Sequence, residues 1–224
     1  MTLEDPIEIL KTAREFESKR NFASALTLFE ALYDSSGTRF ALLYMKHLGE
    51  EYPPALAAME HMRERSAEKI RNHQGEFQDF CSVEAVSSEL QDGGHYVYQL
   101  YREMMVDAPE LARKCRMRAL QPIIEMKDYE LAVRLFDPAQ QTITPQIHRF
   151  NQATEEYHAD RSKIQRDLLN ALSNNLCRAV RMMVQALRAV NRAVDAEELI
   201  RFVENQVQDS EQQRIVQAKL HDNG

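Results

Sequence analysis

A chain of 224 residues is long enough for one large domain or two small ones, and its 44% hydrophobic and 28% charged residues describe a folded chain that needs no disulfide staples. A formal net charge of -7 excludes a global attraction to nucleic acid, and the low count of 6 glycines and 7 prolines argues against an all-β or dinucleotide-binding α/β chain. Three scattered cysteines, Cys81, Cys115 and Cys177, form neither a disulfide framework nor a paired zinc pattern.

The chain opens with "EDPIE", a helix start in which Asp5 caps, Pro6 takes the first helical position and Glu8 completes a capping-box spacing. Ile7, Leu10, Ala13 and Phe16 mark its predicted inner face. A break at Arg20-Asn21 leads to a second helix carrying Phe22, Ala25, Phe29 and Leu32. Ser36 or Thr38 is expected to cap a third, with Phe40, Leu43, Tyr44 and Leu48, that stops at Gly49. Pro53-Pro54 opens a fourth, whose inner face reads Ala55, Met59, Met62, Ser66 and Ile70. Gly75 separates it from a stretch with Phe77, Phe80, Val83, Val86 and Leu90. Tyr98, Tyr101 and Met105 mark the next helix, and Pro109 starts another with Leu111, Cys115 and Ala119. Pro122 is expected to start the helix or pair that holds Tyr129, Ala132 and Phe136.

From Pro145 the texture changes. Thr144-Pro145 reads as a helix start, with a break expected near His158–Asp160. Leu169, Leu172, Leu176, Ala179, Met183, Ala186 and Val190 then step by three and four, the seam of a long helix that packs within the fold or against a second copy. Asp195 and Glu198 have capping-box spacing ahead of a last stretch with Leu199, Phe202, Val203, Val207, Ile215 and Leu220. No window alternates as a strand does, so an all-α fold is expected.

Three segments share one spacing: Phe22-Ala25-Phe29-Leu32, Tyr52-Ala55-Met59-Met62 and Tyr129-Ala132-Phe136. A small residue lets two helix backbones approach, and large residues three before and four after fill the space beside it. This pattern resembles the tetratricopeptide (TPR) repeat, a helix-turn-helix of about 34 residues. The resemblance spans at most residues 5–138. Arg20, Glu50 and Lys127 stand where that family prefers a turn glycine, and the segments are not spaced by its period. An irregular helical domain could carry the same spacing. The resemblance implies antiparallel hairpins over residues 1–140 and a protein-interaction role, with Lys11, Arg14 and Tyr44 as candidate inner-face contacts. Residues 145–224 would be long helices packing on that region or on a second chain.

No constellation of catalytic residues is visible, and no metal or cofactor is implied. Glu155 and His158 form one Glu-x-x-His without the second copy that a di-metal bundle needs. His95 follows "DGG" and precedes "YVYQLY", where a helix-start contact is the simplest role. The basic residues say more. Arg161 to Arg192 holds seven cations, Arg161, Lys163, Arg166, Arg178, Arg181, Arg188 and Arg192, against one acid, Asp167. Arg178, Arg181, Arg188 and Arg192 are predicted to lie on one stripe opposite the seam, able to grip phosphates or an acidic partner face. The reading is a cytoplasmic, non-enzymatic adaptor or scaffold for a protein or peptide, with no signal peptide or membrane span. Homodimerisation stays open. The alternative is a nucleic-acid-associated or regulatory factor that uses the Arg178–Arg192 face.

Overall fold

The computed structural model describes residues 5–36, 39–92 and 94–221, and every regular element among them is an α-helix. The chain divides into two compact units between Pro122 and Ile123, some twenty residues before the change of texture at Pro145. The first unit contains α1 (Pro6–Ser18), α2 (Phe22–Ser36), α3 (Arg39–Glu51), α4 (Pro54–Arg71), α5 (Phe77–Leu90), α6 (His95–Asp107) and most of α7 (Pro109–Glu125). The second contains the end of α7, then α8 (Tyr129–Phe136), α9 (Ala139–Ala159), α10 (Lys163–Ala189), α11 (Ala193–Gln206) and α12 (Ser210–His221). The cap expected at Thr38 lies outside the described residues, as does the side chain of Ser36.

In the first unit Asp5 accepts a hydrogen bond from the Ile7 amide at 3.0 Å, with Pro6 at the first helical position. The inner face of α1 is Ile9 and Ala13, with Leu10 and Phe16 packed beside them. Ile7 was expected inside but points to solvent, because it lies two residues from Ile9 and so nearly opposite on the helix. Ala13, Ala25, Ala41 and Ala55 are all fully buried where α1 meets α2, α2 meets α3 and α3 meets α4. Phe29, Leu42, Met45 and Met59 fill the space between. The Phe29 and Tyr44 rings stack at 5.5 Å, and Phe22 meets Tyr52 at 5.8 Å. Gly49 sits inside α3, not at its end. A Cβ there would come within 2.6 Å of Leu56, so the glycine makes room for that side chain.

In the second unit α10 is the hub, packing on α8, α9, α11 and α12. Ala132, Phe136, Ile147, Phe150, Leu199, Val203 and Val216 close around it. Pro145 does not start a helix: it lies inside α9, as Pro122 lies inside α7. An interior proline removes one backbone hydrogen bond, here from the carbonyls of Gln141 and Arg118. Both residues are exposed.

One turn recurs four times. Arg20, His73, Lys127 and Asn191 each adopt a left-handed backbone (φ 58°, 57°, 59° and 62°). In each case the amide of that residue donates to the carbonyl three residues back, and the next amide donates five residues back. These two bonds satisfy the last carbonyls of α1, α4, α7 and α10 in the same way. The left-handed position falls at Arg20 and Lys127, two of the places where a glycine had been the expected turn residue.

Candidate partner-binding face

Ser162 caps α10, its hydroxyl accepting from the Gln165 amide at 3.3 Å. Twenty-seven residues make this helix roughly 40 Å long. The seam is buried at Leu169, Leu176, Ala179, Met183 and Ala186 and half-buried at Leu172 and Val190. A second stripe, Ser173, Cys177, Val180, Val184 and Leu187, is buried beside it. Two stripes are needed because four helices pack on one. The seam is therefore covered within the unit, and what remains outside is the basic face.

That face is not uniform. Arg188 donates to Glu197 on α11 at 2.6 Å. Arg192 lies beyond α10, because the left-handed turn at Asn191 carries it to the N-terminal cap of α11. There it grips Asp137 through two hydrogen bonds of 3.1 and 3.3 Å and also pairs with Asp195. Asp137 first and Asp195 second hold the Arg192 proton more tightly than usual. Asp195 is thus a partner for Arg192, while the capping-box role expected of it falls away because α11 begins two residues earlier. Arg178 and Arg181 are exposed, and among the described residues their side chains make no hydrogen bond or ion pair. The same holds for Arg161, Lys163 and Arg166 at the head of the helix. Two of the four predicted arginines are neutralised by acids of the same unit, and two are not.

Beside Arg181 lies a cleft of about 430 Å³ between α10, α11 and α12. Val180, Val184, Ile200 and Leu220 make its apolar wall, and Arg181, Gln185, Arg188, Glu197 and His221 its polar rim. Polar ties fasten α12 and the residue before it to the rest of the unit. Lys219 donates to Ser173 at 3.0 Å and Asn174 at 2.7 Å, neither of which carries charge to cancel its own. His221 meets Glu204 at 2.8 Å, and His158 meets Asp209 at 3.0 Å. The cleft combines apolar wall with net positive rim, a surface suited to a segment that is both acidic and apolar.

The remaining candidates are placed as follows. His158 spends its ring on Asp209, and Glu155 is exposed on the same helix. Among the described residues no three His, Cys, Asp or Glu side chains converge as a metal site requires. His95 begins α6 and is exposed, with Gln99 one turn on at 3.5 Å. Burial pushes the Cys115 thiol up to about 12 and raises Cys81 and Cys177 as well, the opposite of a ready nucleophile. Arg14 lies over the Tyr44 ring at 5.7 Å, and Lys11 is exposed. No described helix is long and apolar enough to cross a membrane. No protein-family model matches this chain, and no curated protein is similar to it.

Sequence reasoning missed Lys219, Ile200, Leu220 and His221. Ile200, Leu220 and His221 line the cleft from α11 and α12, and Lys219 ties α12 to α10. Only the step of four from Val216 to Leu220, with Lys219 beside it, hinted that α12 would bring a cation toward α10.

Proposed function

We propose that this protein is a non-enzymatic cytoplasmic adaptor that holds an acidic segment of a partner protein on the outer face of α10. The observation that carries the reading is the leftover charge: Arg178 and Arg181 are exposed, Arg181 beside an amphipathic cleft, and among the described residues neither pairs with an acid. A solvated arginine costs little, but a stripe of unmatched cations on an otherwise acidic chain attracts anionic surfaces and steers their approach. The tetratricopeptide resemblance of residues 5–138 points to the same class of work. A homodimer through the seam loses its rationale, since the seam is covered inside the unit.

Anisotropy of a labelled glutamate-rich peptide tests the reading. Arg178→Glu with Arg181→Glu should weaken binding by about tenfold or more while the melting temperature stays nearly unchanged. The competing reading, nucleic acid on the same face, is tested in the same assay with labelled single- and double-stranded DNA across a salt series. Binding tighter than that of the peptide, with a steep loss on added salt, would replace the acidic protein by nucleic acid.

A further inference from the structure

The cleft between α10, α11 and α12 offers more than a charged rim. Of the polar side chains around it, Gln185 donates to the Tyr129 hydroxyl at 3.3 Å, Arg188 donates to Glu197 at 2.6 Å, and His221 meets Glu204 at 2.8 Å. Arg181 is the exception. It lines the cleft, is exposed and makes no hydrogen bond or ion pair among the described residues. The rest of the lining is apolar. Val184 and Ile200 are buried and Leu220 is half-buried, so the apolar side of the cleft lies inside its charged edge.

We infer that this cleft is the binding site of a small apolar monocarboxylate, its carboxylate held by Arg181 and its body lying against Val184, Ile200 and Leu220. The engagements around the rim select this occupant by what it need not carry. A chain segment brings a backbone donor and acceptor at nearly every residue, and each needs a partner once water is displaced. The one polar side chain of the lining without a partner is a guanidinium, which only donates. An alkyl or aryl body asks for no hydrogen bond, and a single carboxylate matches the arginine fork through two. A dianion would leave its second charge unanswered, because Arg188 is already matched by Glu197 and His221 by Glu204. The volume of about 430 Å³ falls among small-ligand sites, which run from roughly 300 to 1,000 Å³. The site goes beyond the adaptor reading and does not need it, although Arg181 belongs to both.

The test uses the full chain and isothermal titration calorimetry, with sodium octanoate as the probe and octanamide and acetate as controls. Octanamide keeps the body and loses the charge, and acetate keeps the charge and loses the body. Octanoate should bind about tenfold more tightly than either. Arg181→Gln should lose about tenfold in octanoate affinity and Leu220→Ser about threefold, whereas Arg178→Gln, outside the cleft, should leave it unchanged. Circular dichroism confirms that each variant is folded. Octanoate binding that a folded Arg181→Gln variant retains in full overturns the inference, as does the absence of saturable binding up to about 10 mM. Equal affinity for octanoate and acetate overturns it as well. A peptide ending in leucine carries the same chemistry at its C-terminus. If that peptide binds more tightly than octanoate and loses the advantage on amidation, the occupant is a chain end and the small ligand is overturned. A protein that binds the glutamate-rich peptide but not octanoate keeps the adaptor reading and loses this site, and one that binds octanoate but not the peptide keeps this site and loses the adaptor.

Discussion

The two units differ in what they do with charge. In the first, the cations of α4 are matched. Arg63 donates to Asp92 at 2.5 Å and lies 4.1 Å over the Tyr96 ring. Tyr96 donates to Glu64, which also receives Arg71 at 2.6 Å, and Arg71 reaches Glu103 at 2.9 Å. This chain of contacts ties α4 to the end of α5 and to α6. Arg65 pairs with Asp34, Lys69 with Asp79 and Arg118 with Glu84. In the second unit, Arg161, Lys163, Arg166, Arg178 and Arg181 have no such partner among the described residues, although both units have fully buried cores. Matched charges, of which Arg63 and Asp92 are the least exposed, serve the fold. Unmatched charges on a helix whose inner face is already occupied are free to serve an encounter.

The comparison can be broken first at the cores. Phe29 and Phe150 are both fully buried, and Phe29→Ala or Phe150→Ala should each cost about 3–5 kcal/mol in denaturant unfolding. A much smaller loss in either unit would mean that its core is not closed. The charges come next. Arg63→Met leaves Asp92 with a poorly solvated carboxylate and should cost about 2 kcal/mol, whereas Arg181→Met should stay within about 0.5 kcal/mol of wild type. Equal losses would erase the distinction drawn between the units. Smaller again is the turn effect. Arg20→Gly in the first unit and Lys127→Gly at the start of the second relieve a left-handed non-glycine residue, and each should stabilise by about 1 kcal/mol in the same measurement. The smallest effect is acid sensitivity. The Tyr96 hydroxyl holds Glu64 below its ordinary value of 4.5, and the Gln212 amide with His158 holds Asp209 below 3.8. Carboxyls depressed in the folded state stabilise fully above their ordinary values and lose that contribution as pH falls through the lower folded ones. Denaturation midpoints should therefore hold steady from neutrality down to about pH 5 and fall below it. Glu64→Gln and Asp209→Asn should each flatten part of that fall.

Much of the fold was legible because it depended on neighbours in sequence. The Asp5-Pro6 start, the break before Ser162 and the alanine-centred contacts at Ala25 and Ala55 follow from spacing alone, whereas Ala132, expected against the helix just before it, lies on a helix that packs on α10. Pro122 and Pro145 misled for a physical reason. An interior proline costs a helix one hydrogen bond and a clash with the preceding turn, and whether the packing around the helix outweighs that cost is a tertiary fact. The arginine face was legible as composition but not as chemistry. Asp137 lies 55 residues from Arg192 in sequence, so only the fold shows that this cation is already taken.

Because α10 is the hub of its unit, its outer face and its inner contacts share one rigid element. Anything bound outside is bound to α8, α9, α11 and α12 as well, in the thermodynamic sense. A ligand present at a hundred times its Kd, with no affinity for the unfolded chain, adds about 2.7 kcal/mol to the stability of what it binds. That gain would appear as slower amide hydrogen exchange in α8, α9 and α11 as well as in α10. The protection map of a bound state would be far wider than its footprint, and occupancy could be read from helices the partner never touches.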